Sequence, residues 1–287
     1  MMMKRAALLL PLLVCLLAPG LPAAAQRTTP TPRPAGPEAT AEATAEPEAP
    51  FIVLLPQVVN QIPHSTTDFT QGLVWSDGRL FQSTGRFGQS RLQELDPETG
   101  DVLREVPVGD EYFAEGLALV DDRLIQLTWQ TGVAFVWDAE SFEQVDQFSY
   151  DTEGWGLCYD GDVLWMSDGS ANLFKRDAET FELLDTIAVT IDGEPVPDIN
   201  ELECVDGRVW ANIWQTPVIV RIEPETGVID AVADMRPLIT QDIADNWANG
   251  AVLNGIAWVP ERETFLITGK NWPVMYEVTF VRAQAGS

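Results

Sequence analysis

The sequence predicts an all-β protein: a five-bladed β-propeller of four-stranded blades, in which an N-terminal strand completes the last blade. Three observations predict it. One short apolar segment recurs five times, each copy leads into further short runs joined by turns of one kind, and an unassigned run near the start matches a strand missing from the last copy.

Residues 1–25 come first. Lys4 and Arg5 precede an apolar stretch from Ala6 to Ala18, and Ala23, Ala24 and Ala25 supply the small residues a signal peptidase requires. Pro11 and Pro19 interrupt the stretch, which is too short for a good membrane span. Val14 is too bulky for lipoprotein processing at Cys15. The expectation is a signal peptide over 1–25 and a secreted, extracytoplasmic protein, in the periplasm or outside the cell. Residues 26–50 are rich in Thr, Pro, Ala and Glu and lack any aromatic residue, so they cannot bury enough apolar area to offset chain entropy. They read as a disordered linker. Cleavage after Ala25 would leave Gln26 at the N-terminus.

Residues 51–287 carry the repeats. Gln71-Gly-Leu-Val, Glu115-Gly-Leu-Ala, Trp155-Gly-Leu-Cys, Asn200-Glu-Leu-Glu and Asn254-Gly-Ile-Ala align, with first residues 44, 40, 45 and 54 positions apart. A second apolar run follows each after a turn, as in Leu80-Phe-Gln-Ser and Leu164-Trp-Met-Ser. Third and fourth runs are joined by Asp96-Pro-Glu-Thr-Gly, Asp138-Ala-Glu-Ser-Phe, Asp177-Ala-Glu-Thr-Phe and Glu223-Pro-Glu-Thr-Gly. Short β-branched or aromatic runs bounded by turn residues read as strands. The fifth copy stops after Val274 to Phe280, and Phe51 to Ile62 supplies its outer strand, which also removes an open edge. A weak helical period near Leu238 to Trp247 reads as an insertion.

Composition narrows the function. Asp and Glu number 44 against 17 Lys and Arg, a formal charge of −27, which repels nucleic acid and anionic lipid. No membrane contact beyond export is expected, and the chain reads as a monomer. One His and three Cys leave no Ser-His-Asp triad unless His64 serves it, and too few ligands for a Cys/His zinc site. Cys158 stands three residues into its repeat and Cys204 four into the next, so they should point to opposite strand faces and remain two free, buried thiols.

Propeller sites form where the innermost strands meet the axis, so equivalent repeat positions should gather. The first repeat position holds Gln71, Glu115, Trp155, Asn200 and Asn254. Two residues earlier stand Phe69, Phe113, Glu153, Asp198 and Val252. At the end of the second strand lie Gly85, Trp129, Gly169 and Trp214, with Lys270 in the fifth copy. Carboxylate, amine, amides and indoles do not make an ordinary core. Indoles attract ammonium groups and exclude water. Glu115 is the candidate acid/base, since burial among rings raises a carboxyl toward the working range. Lys270 and Asn200 are placed to donate to an oxyanion.

These residues also carry a resemblance. Phe69-Thr-Gln-Gly-Leu, Phe113-Ala-Glu-Gly-Leu, Glu153-Gly-Trp-Gly-Leu, Asn200-Glu-Leu-Glu, Ala211-Asn-Ile-Trp and Thr268-Gly-Lys-Asn-Trp-Pro resemble, in order, motifs of the plant-type glutaminyl-peptide cyclotransferases. The likeness runs from about His64 to Val278. It departs at Ser65 and Gln82, where the family often has acids, and at Cys158, where Thr is common. The resemblance implies a five-bladed propeller that turns the N-terminal glutamine of peptides or proteins into pyroglutamate. It implies catalytic Glu115, Lys270 and Asn200, with Phe69, Gln71, Phe113, Trp129, Trp155 and Trp214 binding substrate. No cofactor and no catalytic metal are implied, although so acidic a chain leaves room for a structural cation such as calcium. Two rival classes remain: a non-catalytic peptide- or ligand-binding propeller, and a propeller hydrolase or lactonase, which would want several axial carboxylates where, among the five first positions, only Glu115 is acidic.

Overall fold

A computed structural model describes residues 51–284. The expected signal segment 1–25, linker 26–50 and Gln26 lie outside the described residues. The fold is all-β. It opens with β1 (Ile52–Pro63) and continues with a sheet of β2 (Thr70–Ser76), β3 (Arg79–Thr84), β4 (Arg91–Leu95) and β5 (Val102–Pro107). The next sheet holds β6 (Ala114–Val120), β7 (Arg123–Thr128), β8 (Val133–Asp138) and β9 (Gln144–Ser149). A third holds β10 (Leu157–Tyr159), β11 (Val163–Ser167), β12 (Asn172–Asp177) and β13 (Leu183–Ala188). A small hairpin, β14 (Thr190–Ile191) and β15 (Glu194–Pro195), precedes β16 (Ile199–Val205), β17 (Arg208–Ile213), β18 (Val218–Glu223) and β19 (Val228–Asp234). Two 3-10 turns flank helix α1 (Gln241–Asn246), and β20 (Leu253–Val259), β21 (Thr264–Gly269) and β22 (Val274–Arg282) are the last strands among the described residues.

The N-terminal run takes the place expected of it. β1 pairs antiparallel with β22, from Leu54 opposite Arg282 to Pro63 opposite Val274. Its first residues also pair in parallel with β19, Ile52 opposite Ala231, which joins the last two strand sets into one sheet and was not foreseen. The opening strands touch in a closed circuit: β2 on β6, β6 on β10, β10 on β16, β16 on β20, and β20 back on β2.

Burial grades outward. β6 is buried at six of seven positions and reads as nearly continuous apolar sequence, whereas the outer strand β9 has no fully buried residue. The sheets pack face to face through side chains such as Leu117, Leu124 and Phe135 in one layer and Leu164, Met166 and Phe174 in the next. The recurring turns have a local cause. The Oδ1 of Asp96 accepts the N–H groups of Glu98 and Thr99, and Asp177 does the same for Glu179 and Thr180. The last turn residue is left-handed in both kinds of turn, at Gly100 (φ 73°) and at Phe181 (φ 61°). A Cβ on Gly100 would stand 1.8 Å from the Pro63 oxygen, so glycine is required there, while Phe181 is free to bury its ring.

The cysteines correct the expectation of free thiols. Cys158 and Cys204 form a disulfide, with Cα atoms 5.5 Å apart. They lie on β10 and β16, the opening strands of neighbouring sheets. Sheets stacked in one sense meet front to back. Side chains of opposite parity in adjacent repeats therefore face each other, and the parity argument pointed the wrong way.

Candidate active site

The opening strands and the hairpin ends beside them enclose a cavity of about 260 Å³. Phe69, Gln71, Phe113, Glu115, Trp129, Trp155, Asn200, Trp214 and Lys270 line it, so the structure brings together all nine residues singled out from the sequence. Asn254, the fifth first-position residue, stands aside from the lining. Its Nδ2 donates to the Thr70 carbonyl (2.9 Å) and to Gln71 Oε1 (3.3 Å), fixing the Gln71 amide.

Polar and aromatic linings divide by depth. Gln71, Glu115, Asn200 and Lys270 are each buried, whereas the five rings are half-buried. The rings brace one another edge to face, with Phe69 against Phe113 at 6.1 Å, Phe113 against Trp129 at 5.8 Å, and Trp155 against Trp214 at 5.4 Å. Gly85 leaves room for this wall, since a Cβ there would stand 2.3 Å from the Phe113 ring. Glu153 was aligned with the ring positions, but its work was not anticipated. Its Oε2 accepts the indole N–H of both Trp129 (2.8 Å) and Trp155 (3.0 Å), and so sets the orientation of two walls.

Electrostatics make the pair at the bottom unusual. Burial pushes the Glu115 carboxyl well above the ordinary carboxylate range. Lys270 pulls it back in part, and Glu153 adds to the rise. Burial pushes the Lys270 amine down to about 8, against an opposing pull from Glu115. The ammonium also sits 4.9 Å from the centre of the Phe69 ring. Asn200 Oδ1 is buried with no protein partner. A buried amide oxygen left open in this way asks for a hydrogen-bond donor from a ligand. Behind Glu115, Tyr150 donates its hydroxyl to the Thr128 carbonyl and takes the Thr128 N–H at 3.0 Å. Among the described residues, no group of three or more His, Cys, Asp or Glu could hold a metal ion.

A second compartment, of about 300 Å³, opens beside the first and shares Phe69, Trp214 and Lys270 with it. It adds Gln215, Trp247, Ala248, Gly250 and Val252. The repeat alignment does not reach Gln215 or Trp247. Its one signal was the long 54-residue step to the fifth copy, which holds the insertion carrying Trp247.

An all-β fold that gathers a buried carboxyl, an amine and two amides behind aromatic walls defines a protein built to take a small polar group out of water. The family model for glutamine cyclotransferase matches residues 35–280, and the chain belongs to that family. An Arabidopsis thaliana protein named glutaminyl-peptide cyclotransferase is 36% identical over 233 residues, covering 80% of this chain and 73% of that protein. The crystal structure of the Myxococcus xanthus glutaminyl cyclase superposes with a TM-score of 0.76 at 37% identity, over 82% of this chain and all of that one.

Proposed function

We propose that this chain is an enzyme that converts the N-terminal glutamine of peptides or proteins into pyroglutamate, with release of ammonia. The observation that carries the reading is the pairing of buried Glu115 with buried Lys270 at the bottom of an aromatic cavity, in a chain of this family. The reaction is an intramolecular acyl transfer. The free α-amine attacks the γ-carboxamide carbon, a C–N bond closes the five-membered lactam, and the C–N bond to the amide nitrogen breaks. Ring walls that fold the side chain back on itself supply proximity. Glu115 takes a proton from the attacking amine and returns it to the leaving nitrogen, so acid and base balance over the cycle. A carboxyl with a raised affinity for protons is suited to this shuttle between two nitrogens. The Lys270 ammonium and the Asn200 amide N–H stabilise the tetrahedral oxyanion, and Gln71, held by Asn254, positions the carboxamide. Substrate and chain provide every reacting group, so no cofactor is required. A structural cation such as calcium is compatible with the acidic surface.

The proposal extends to architecture and place. The closed circuit of opening strands supports five four-stranded blades around one axis, the last completed by β1. The Cys158–Cys204 disulfide supports export to an oxidising compartment, as the signal-like segment 1–25 does. We take the enzyme to act as a monomer. The test is incubation of wild type with a glutamine-initiated peptide, followed by mass spectrometry for loss of one ammonia. Binding of the peptide without that loss overturns catalysis in favour of a binding protein.

A further inference from the structure

Resting on that function, we infer that the second compartment is a subsite for the side chain of the substrate's second residue, that it selects a large apolar side chain, and that Trp247 is its specificity-determining wall. Continuity places the occupant. A glutamine bound with its amine and carboxamide against Glu115 and Lys270 must send its α-carbonyl and the following residue out of the inner cavity. The two compartments share Phe69, Trp214 and Lys270, so the outer one lies directly along an exit from the inner one. A cavity in that position receives the next residue of the same chain.

The chemistry of the lining sets the preference. Trp214 and Trp247 are half-buried indoles, Val252 is 4% exposed, and Gln215 contributes a neutral amide. Lys270 provides the one charged group in this lining, and it disfavours a cationic side chain. Two indoles and a valine reward an apolar side chain, and an aromatic one most, through area buried and edge-to-face contact.

The subsite is also pre-built, which reduces the ordering that binding requires. The insertion is pinned from below by Leu238 and Ile243, both buried in the core, against which Trp247 packs. Thr240 caps α1 by accepting the Ile243 N–H. The arm that follows is bonded to the Lys270 loop. The Lys270 N–H donates to Val252 O at 2.9 Å, and Trp272 Nε1 donates to Ala251 O at 3.0 Å. The wall that reads the second residue is thereby fixed to the segment that carries the catalytic amine.

The experiment compares kcat/KM for two peptides, Gln-Phe-Ala and Gln-Gly-Ala, in wild type, Trp247→Ala and Trp247→Phe. The readout is the ratio of the two values within each protein, which is independent of the fraction correctly folded. Wild type is expected to favour Gln-Phe-Ala by about tenfold or more. In Trp247→Ala the ratio falls toward unity, mainly through a higher KM for Gln-Phe-Ala, and Trp247→Phe restores part of it. A wild-type ratio near unity overturns the inference while leaving the cyclase reading standing, and so does a ratio unaltered in Trp247→Ala. Failure of wild type to release ammonia from either peptide overturns the cyclase reading, and the subsite with it.

Discussion

Replacing Glu115 with Gln tests the chemistry most directly. The substitution keeps side-chain volume and hydrogen-bonding reach and removes the proton acceptor. Glu115 is 5% exposed and faces the cavity, where bound substrate displaces the water that would otherwise take over as base. The loss in kcat should therefore be that of a positioned acid/base, about 10²- to 10⁴-fold, or about 3–5 kcal/mol of barrier. A second effect follows from the neighbour. Lys270 stands at about 8 because burial pulls it down while Glu115 holds it up. With the carboxylate gone, only burial remains, and the alkaline limb of the kcat/KM profile, which reports groups of the free enzyme, should move to lower pH than in wild type. The assay is coupled ammonia release at both saturating and low concentrations of a glutamine peptide between acid and alkaline pH, with thermal denaturation to confirm the fold. A Gln variant within about threefold of wild type at an equal Tm refutes the acid/base role. A slow variant whose alkaline limb stays where wild type has it refutes the claim that Glu115 holds the amine charged.

Three further outcomes are expected. Lys270 has a folded value of about 8 against an ordinary 10.5, so the unfolded chain holds more protons between these values and stability rises with pH across that window. The neutral double variant Glu115→Gln/Lys270→Met should then be inactive yet melt higher than wild type at pH 7, with the share of the gain owed to Lys270 lost as pH rises from about 8 to 10.5 while the share owed to the raised Glu115 persists; calorimetry at the two ends of that window checks this. Reducing Cys158–Cys204 releases a link across 46 positions, worth about 4 kcal/mol as loop entropy and so on the order of 10 °C in Tm for a domain of this size; equal melting with and without reductant would contradict it. Glu153→Ala frees the indoles of Trp129 and Trp155, and should raise KM more than it lowers kcat, as steady-state kinetics will show.

Much of this was legible in the sequence for one reason. Repeats place equivalent residues at equivalent points around a closed circuit, so aligning Gln71, Glu115, Trp155 and Asn200 amounted to finding the lining of a cavity. The same device failed where its geometry was misapplied. Parity along a strand describes one sheet, and Cys158 and Cys204 belong to two sheets that meet front to back. It was silent where residues leave the repeat. Trp247 sits in an insertion with no counterpart in the other copies. The parallel pairing of Ile52 with Ala231 is set by where β1 enters, which no periodicity encodes. Glu153 was visible as an aligned position, but its hydrogen bonds to two indoles depend on side-chain directions that spacing alone does not give.

The clasp between β1 and β22 also sets a timetable for synthesis. Leu54 waits for Arg282, so β1 cannot complete the last strand set until the chain has been made through β22. Until then β22's partner edge on β1 has nothing to pair with, and the opening strands of the first and last sets, β2 and β20, have not met. Contacts this distant in sequence make folding slow, and unpaired strands make the waiting chain prone to aggregate. The cavity draws its lining from both sides of that late seam, with Gln71 on one and Lys270 on the other. Activity is therefore acquired in a single final step, and a truncated or stalled chain has no partial catalyst to offer.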